Sequence, residues 1–305
     1  MLSSAIVIYL FLGGLGAGLG LITSVQSLTR IMQLNKPIKK QIEFFNFDRA
    51  YAIKHFLIMS ILITSALFLL IDLGAPEKFL LIFKHPHFTY LNIGAYSLTV
   101  LIVFNFSLAL YWLNACSIFN QKLFFFLSSI VVIFSVIVAI YTGLLLSGIS
   151  AIPFWHNIFL PTLFLISSLT SGNATLYLVD QLIIKNHLGI NKYSYVVSLA
   201  LSILELLIFI LFAAFSFSSQ YQLTSVNSMQ QLFVGDFSGV FIIGFIVMGV
   251  IVPIIYYLAL LMKGLTPRIS ISSFVAVFII IGAFILRFYI VFVAARPNLP
   301  YIMGL

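Results

Sequence analysis

Residues 52–79 read AIKHFLIMSILITSALFLLIDLGAPEKF. From Ala52 to about Ile71 the string is almost wholly apolar, and as a helix rising about 1.5 Å per residue it is long enough to cross the roughly 30 Å hydrocarbon core of a membrane. It then meets Asp72, Gly74 and Pro76 in quick succession. Glycine takes the conformation that ends a helix and proline prevents its continuation, so a simple helix stop accounts for Gly74 and Pro76. It does not account for Asp72, because a carboxylate is disfavoured at the negative end of a helix dipole, even with Lys78 nearby as a counter-charge. A charged group at the mouth of a span is expensive unless it faces a partner, water or a cavity, which makes Asp72 a candidate functional residue.

The rest of the chain fits the same solvent. Of 305 residues, 62% are hydrophobic and only 7% charged, against roughly 25% charged in an ordinary soluble domain. This composition is that of an all-α polytopic membrane protein. The 15 Lys and Arg against 7 Asp and Glu are the loop bias that orients membrane chains, and do not point to nucleic acid. A single cysteine, Cys116, excludes both a disulfide framework and an iron-sulfur cluster held by this chain alone.

Eight windows are long and apolar enough to span: roughly 4–28, 51–73, 89–115, 123–146, 157–184, 194–217, 239–262 and 272–295. The start, Met1-Leu2-Ser3-Ser4, lacks a basic segment, so the first window is expected to be a retained helix and not a cleaved signal. Arg30, Lys36, Lys39, Lys40 and Arg49 lie in the first loop, Lys122 in the third, Lys185 and Lys192 in the fifth, and Lys263 and Arg268 in the seventh. The even loops carry only Lys78 and Lys84. The positive-inside rule therefore turns odd loops to the cytoplasm and both termini, with Asp72, to the outer side. Asp180, Arg49 and Lys54 fall near the inner interface and are expected to be anchors or surface pairs.

Gly13-Gly14-Leu15-Gly16-Ala17-Gly18 in the first span is echoed by Ser167-Ser168-Leu169-Thr170-Ser171-Gly172 in the fifth. Small residues spaced by four let membrane helices approach closely. The echo is compatible with chance, and equally with one membrane domain, 1–305, made of two four-helix bundles, 1–150 and 151–305, related by a parallel repeat.

Several motifs follow in order: Tyr9-Leu10-Phe11-Leu12-Gly13-Gly14 opening span one; the Asp72 run; Gly94-Ala95-Tyr96-Ser97; Tyr141-Thr142-Gly143; Ile152-Pro153-Phe154-Trp155-His156-Asn157 leading into Leu160-Pro161; Leu232-Phe233-Val234-Gly235; and Leu286-Arg287-Phe288-Tyr289 in span eight. Together they resemble the NrfD-type family, the membrane subunits of polysulfide, thiosulfate and tetrathionate reductases. The resemblance implies a haem-free anchor in a prokaryotic cytoplasmic membrane. Such an anchor binds menaquinol or ubiquinol near the outer side and exchanges electrons with an iron-sulfur subunit serving a molybdopterin catalytic subunit. Histidine placement agrees with the lack of haem, because His55 and His187 lie toward the inner side and His85, His87 and His156 toward the outer, leaving no pair to grip one within the bilayer.

Quinol oxidation releases two protons with its two electrons, so a site needs a hydrogen-bonding group for the headgroup oxygens and a proton acceptor. Tyr141 matches the tyrosine that relatives place at the outer end of span four, although a tyrosine there also suits the interfacial aromatic belt. Tyr9 stands where some relatives have a histidine. A phenol, with an ordinary pKa of about 10, donates a bond but accepts a proton poorly, which shifts that task to Asp72 or an outer histidine. Glu205, near the middle of span six, is expected either to take part in proton transfer or to bond neighbouring helices, and Arg287 to pair with Glu205 or with Asp72. Docking of partners is expected at His85, His87, Trp155, His156 and the segment around 218–239, where Met229-Gln230-Gln231-Leu232-Phe233 reads as a surface helix. His85 and His87 alone are too few for a metal site. The competing class is a secondary transporter with a midplane site at Glu205 and Arg287.

Overall fold

The computed structural model describes residues 4–34, 41–73, 89–113, 121–149, 152–183, 192–218, 223–235, 238–263 and 269–294. Among them every regular element is helical, as it must be where no water is available to bond a free backbone. Among the described residues eight helices are long and apolar enough to cross a membrane: α1 (Ser4–Leu34), α2 (Gln41–Leu73), α3 (Tyr90–Trp112), α4 (Gln121–Ser147), α5 (Phe159–Ile183), α6 (Lys192–Ser218), α8 (238–263) and α9 (Ile269–Ala294). The short α7 (Leu223–Val234) precedes α8. It buries Met229 and Leu232 and exposes Gln230, the two-faced pattern expected of its sequence.

Span seven, α8, begins at Ser238–Phe241, continues as a π-helix over Ile242–Ile251 and returns to α-helix over Val252–Lys263. The widened turn has a local cause. Pro253 has no N–H, and its ring crowds the carbonyl four residues earlier, so the preceding turns open instead of clashing. Within that segment Gly249 packs directly on the backbone of Gly282 in α9.

Contacts close two rings. In the first, α1 meets α2, α2 meets α3, α3 meets α4 and α4 returns to α1; in the second, α5 meets α6, α6 meets α8, α8 meets α9 and α9 returns to α5. The rings join chiefly where α1 lies along α5. A Cβ at Gly18 would overlap the Ser168 carbonyl, and one at Gly172 would overlap the Gly18 backbone. The small-residue runs that echo each other in the sequence are thus pressed together in space. Without a hydrophobic force between helices in lipid, this close approach supplies the dispersion contacts that hold them.

Candidate functional site

Tyr9 sits two turns into α1 and Tyr141 two turns before the end of α4, and only 1% and 2% of their surfaces are exposed. The two phenol hydroxyls are near enough to interact with each other, and among the described residues neither finds any other hydrogen-bond partner. Their surroundings explain the motif residues. A Cβ on Gly94 would fall within the Tyr141 ring, so the glycine of Gly94-Ala95-Tyr96-Ser97 is what admits the phenol against α3. Gly143 packs on the backbone of Leu160 and Pro161, drawing α4 onto the start of α5. Ser65 of α2 donates to the Tyr9 carbonyl at 3.1 Å and fixes the level of α2 against α1. Seven residues further along, about 10 Å toward the start of α1, Asp72 lies half-buried in the last turn of α2. It belongs to the same end of the protein as the two tyrosines, outside their level.

Glu205 and Arg287 form a separate centre at mid-depth in the second ring. Both are buried. Thr170 donates to Glu205 Oε2 at 2.7 Å. Arg287 donates from Nη1 to Ser167 Oγ at 3.2 Å and to the Ala283 carbonyl at 3.1 Å, and from Nη2 to Ser168 Oγ at 2.8 Å. Its guanidinium also lies 5.2 Å from the Phe164 ring centre and 5.9 Å from that of Phe11. Glu205 and Arg287 attract each other without a direct ion pair, and Ser167 is within bonding reach of both. Of the two partners considered for Arg287, the packing therefore selects Glu205. Gly14 makes the centre possible, since a Cβ there would stand 2.7 Å from Arg287 Nη2.

Trp155 requires a correction as a docking residue. It is wholly buried, and its indole N–H donates to the Ile290 carbonyl at 2.9 Å, tying the connection before α5 to α9. Asn157 does similar work, donating to the Phe212 carbonyl at 3.1 Å and to Ser216 Oγ at 3.0 Å while accepting from Phe159 N. This motif is a structural clasp because its large apolar rings had room in the core. His156 between them is exposed. His85 and His87 lie outside the described residues.

Lys54 is not a surface pair either. It is buried and bonds Asp180 at 2.5 Å, linking α2 to α5 across the two rings. Nothing in the local sequence of either residue distinguishes that arrangement from two separate interfacial anchors.

The family model described as "Polysulphide reductase, NrfD" matches residues 2–296. No curated protein matches the chain.

Proposed function

The chain belongs to the NrfD polysulphide reductase family and is a multi-pass membrane protein, and from that premise we propose that it is the quinol-binding membrane anchor of a respiratory oxidoreductase complex. The observation that carries this reading is the pair of buried phenol hydroxyls of Tyr9 and Tyr141, which face each other and have no further partner among the described residues. A buried polar group left without a partner costs about 1–3 kcal/mol, so two together favour a ligand with two polar oxygens on an otherwise apolar body. A quinol headgroup has that chemistry, and menaquinol or ubiquinol would reach it from the lipid. The hydroxyls would hold and orient the headgroup oxygens.

Asp72, at the same end of the bundle, takes the released protons toward the outer surface. The electrons leave the chain, because its one cysteine cannot hold a cluster, and pass to an iron-sulfur subunit docked on the outer face that serves a molybdopterin catalytic subunit. His156, α7 and the loop carrying His85 and His87 are the docking surfaces of this scheme. In the second ring, 151–305, Glu205 and Arg287 join helices, while quinol is handled in the first, 1–150. The setting is a prokaryotic cytoplasmic membrane with both termini outside.

Photolabelling with an azido-quinone tests the reading. Label on peptides containing Tyr9 or Tyr141, competed away by quinol, is the expected result; label confined to other spans removes the site. A transporter centred on Glu205 and Arg287 would instead take up substrate in liposomes holding this chain alone. The bonding of both terminal guanidinium nitrogens within the protein argues for a helix-joining role there over a substrate site.

A further inference from the structure

The part of the first ring that lies away from Tyr9 and Tyr141 carries a second set of polar atoms that find no partner among the described residues. Its upper limit is set by Gly20, whose Cβ would stand 3.2 Å from Ser135 of α4 and 3.6 Å from Ile58 of α2. From that level toward the end where α1 and α2 are joined come Thr23 and Ser24 on α1, His55 on α2, Asn105 on α3 and Ser128 on α4. All of these, with Ser135, are 0% exposed. Helix geometry puts His55 about one turn beyond Ile58, and Ser128 about two turns beyond Ser135 on the same face. The four helices of the ring thus contribute to one interior column.

His55 shows how the column is organised. Asn105 donates from Nδ2 to the Leu101 carbonyl at 2.8 Å, which leaves its Oδ1 to accept from His55 Nδ1 at 2.9 Å. The imidazole is thereby held in one orientation, and Nε2 is left as an unbonded acceptor. Thr23 Oγ1, Ser24 Oγ, Ser128 Oγ, Ser135 Oγ and Trp112 Nε1 are likewise buried without partners.

Hydroxyl groups elsewhere on the same helices behave differently. Exposed Ser60, Thr64 and Ser129, half-buried Ser107 and even buried Ser27 and Thr142 each donate back to a carbonyl three or four residues earlier. Ser128 and Ser129 are neighbours, yet only the outward one bonds its own helix. Lipid offers no polar partner, so back-bonding is the default there, and a hydroxyl that forgoes it needs another partner inside. Donors and acceptors interleaved at spacings of a few ångströms suit small molecules that both give and accept bonds, each with two to four contacts, and water is that ligand.

We propose that these groups hold a chain of water molecules, a hydrated inlet that runs from the end where α1 and α2 join to Ser135 at mid-depth in the first ring. Leu62 and Val138, both 0% exposed, close it above Ser135 and separate it from Tyr9 and Tyr141. As a water site it is independent of quinol chemistry; only a use in moving protons toward the tyrosines rests on the quinol reading.

Radiolytic hydroxyl-radical labelling of the intact wild-type protein in nanodiscs tests it, because radicals born in bound water mark the side chains beside that water. His55 and Trp155 are equally buried, and an indole is the more reactive toward the radical. The expected result is oxidation of His55 several-fold faster than that of Trp155, whose N–H is already bonded to Ile290. Oxidation of His55 no faster than Trp155 overturns the inlet. A second measurement uses Ser24→Cys, Ser128→Cys and Val138→Cys in a Cys116→Ser background with a small water-soluble thiosulfonate. Reaction at Ser24→Cys and Ser128→Cys but not at Val138→Cys supports the inlet, and protection of all three counts against it. Neither readout uses turnover, so loss of the quinol site and loss of the inlet are told apart.

Discussion

Around Arg287 both terminal guanidinium nitrogens are bonded and Glu205 has a hydroxyl donor, whereas Tyr9 and Tyr141, just as deeply buried, present hydroxyls that face each other and have no further partner among the described residues. The difference separates two uses of a costly group. A buried charge whose bonds are satisfied internally joins helices and fixes their register. A buried donor left open is paid for elsewhere in the fold, and is placed where a ligand can complete it. By that criterion the Arg287 centre of the second ring is largely closed, with Nε its open donor, and the first ring is open at two levels, at the tyrosines and in the column around His55.

The comparison can be broken first at the seam between the rings. Gly18→Val or Gly172→Val drives a side chain into the facing backbone, and the expected outcome is loss of monodisperse protein on extraction, read by size-exclusion chromatography. Next in size is Arg287→Met. Leaving Glu205 without its counter-charge is expected to cost about 3–5 kcal/mol of stability, and adding Glu205→Gln should restore much of it. Thermal unfolding in detergent measures both, and an Arg287→Met protein as stable as the parent would show that the network does not hold the helices.

Tyr141→Phe probes the opposite kind of centre. Only the contact with the Tyr9 hydroxyl is lost within the protein, so stability should stay within about 0.5 kcal/mol of the parent. Losing one bond to the headgroup, about 1 kcal/mol, should lower quinol turnover roughly fivefold. Equal turnover with a lowered melting temperature would reverse the assignment and make Tyr141 a packing residue. The smallest change expected is in Asp72→Asn, which should leave membrane insertion and partner docking intact while slowing quinol oxidation, assayed as quinol-dependent reduction of an acceptor by the assembled complex. Normal turnover there would return Asp72 to the helix stop formed by Gly74 and Pro76.

Much of the framework was legible in the sequence because a membrane leaves few choices. An apolar run of about 20 residues has to be a helix, and its ends follow from glycine, proline and charge. That the stretch forming α7 is a two-faced helix was legible for a related reason, since its apolar residues alternate with amides at helical spacing. Trp155 was misjudged because an aromatic beside a histidine in a loop reads as surface, and its bond to Ile290 spans 135 residues. The column around His55 had a faint signal in the seven-residue spacing of Ser128, Ser135 and Thr142 on α4, but spacing alone does not tell which face turns inward. Gly94 belonged to a recognised motif, yet its purpose, room for the Tyr141 ring, involves a residue on another helix.

By itself the sequence determined eight spans, their lengths, their charge asymmetry and the residue types available for chemistry, because these depend on local length and polarity measured against a uniform solvent. Only the tertiary structure decided which polar atoms are satisfied and which are left open. That outcome depends on distances between helices far apart in the chain: Gly14 making room for Arg287, Gly94 for Tyr141, and Asn105 turning His55. Hydrogen bonds are short and directional, so a shift of an ångström in helix packing changes a donor from bonded to free, and no periodicity along the chain records that shift.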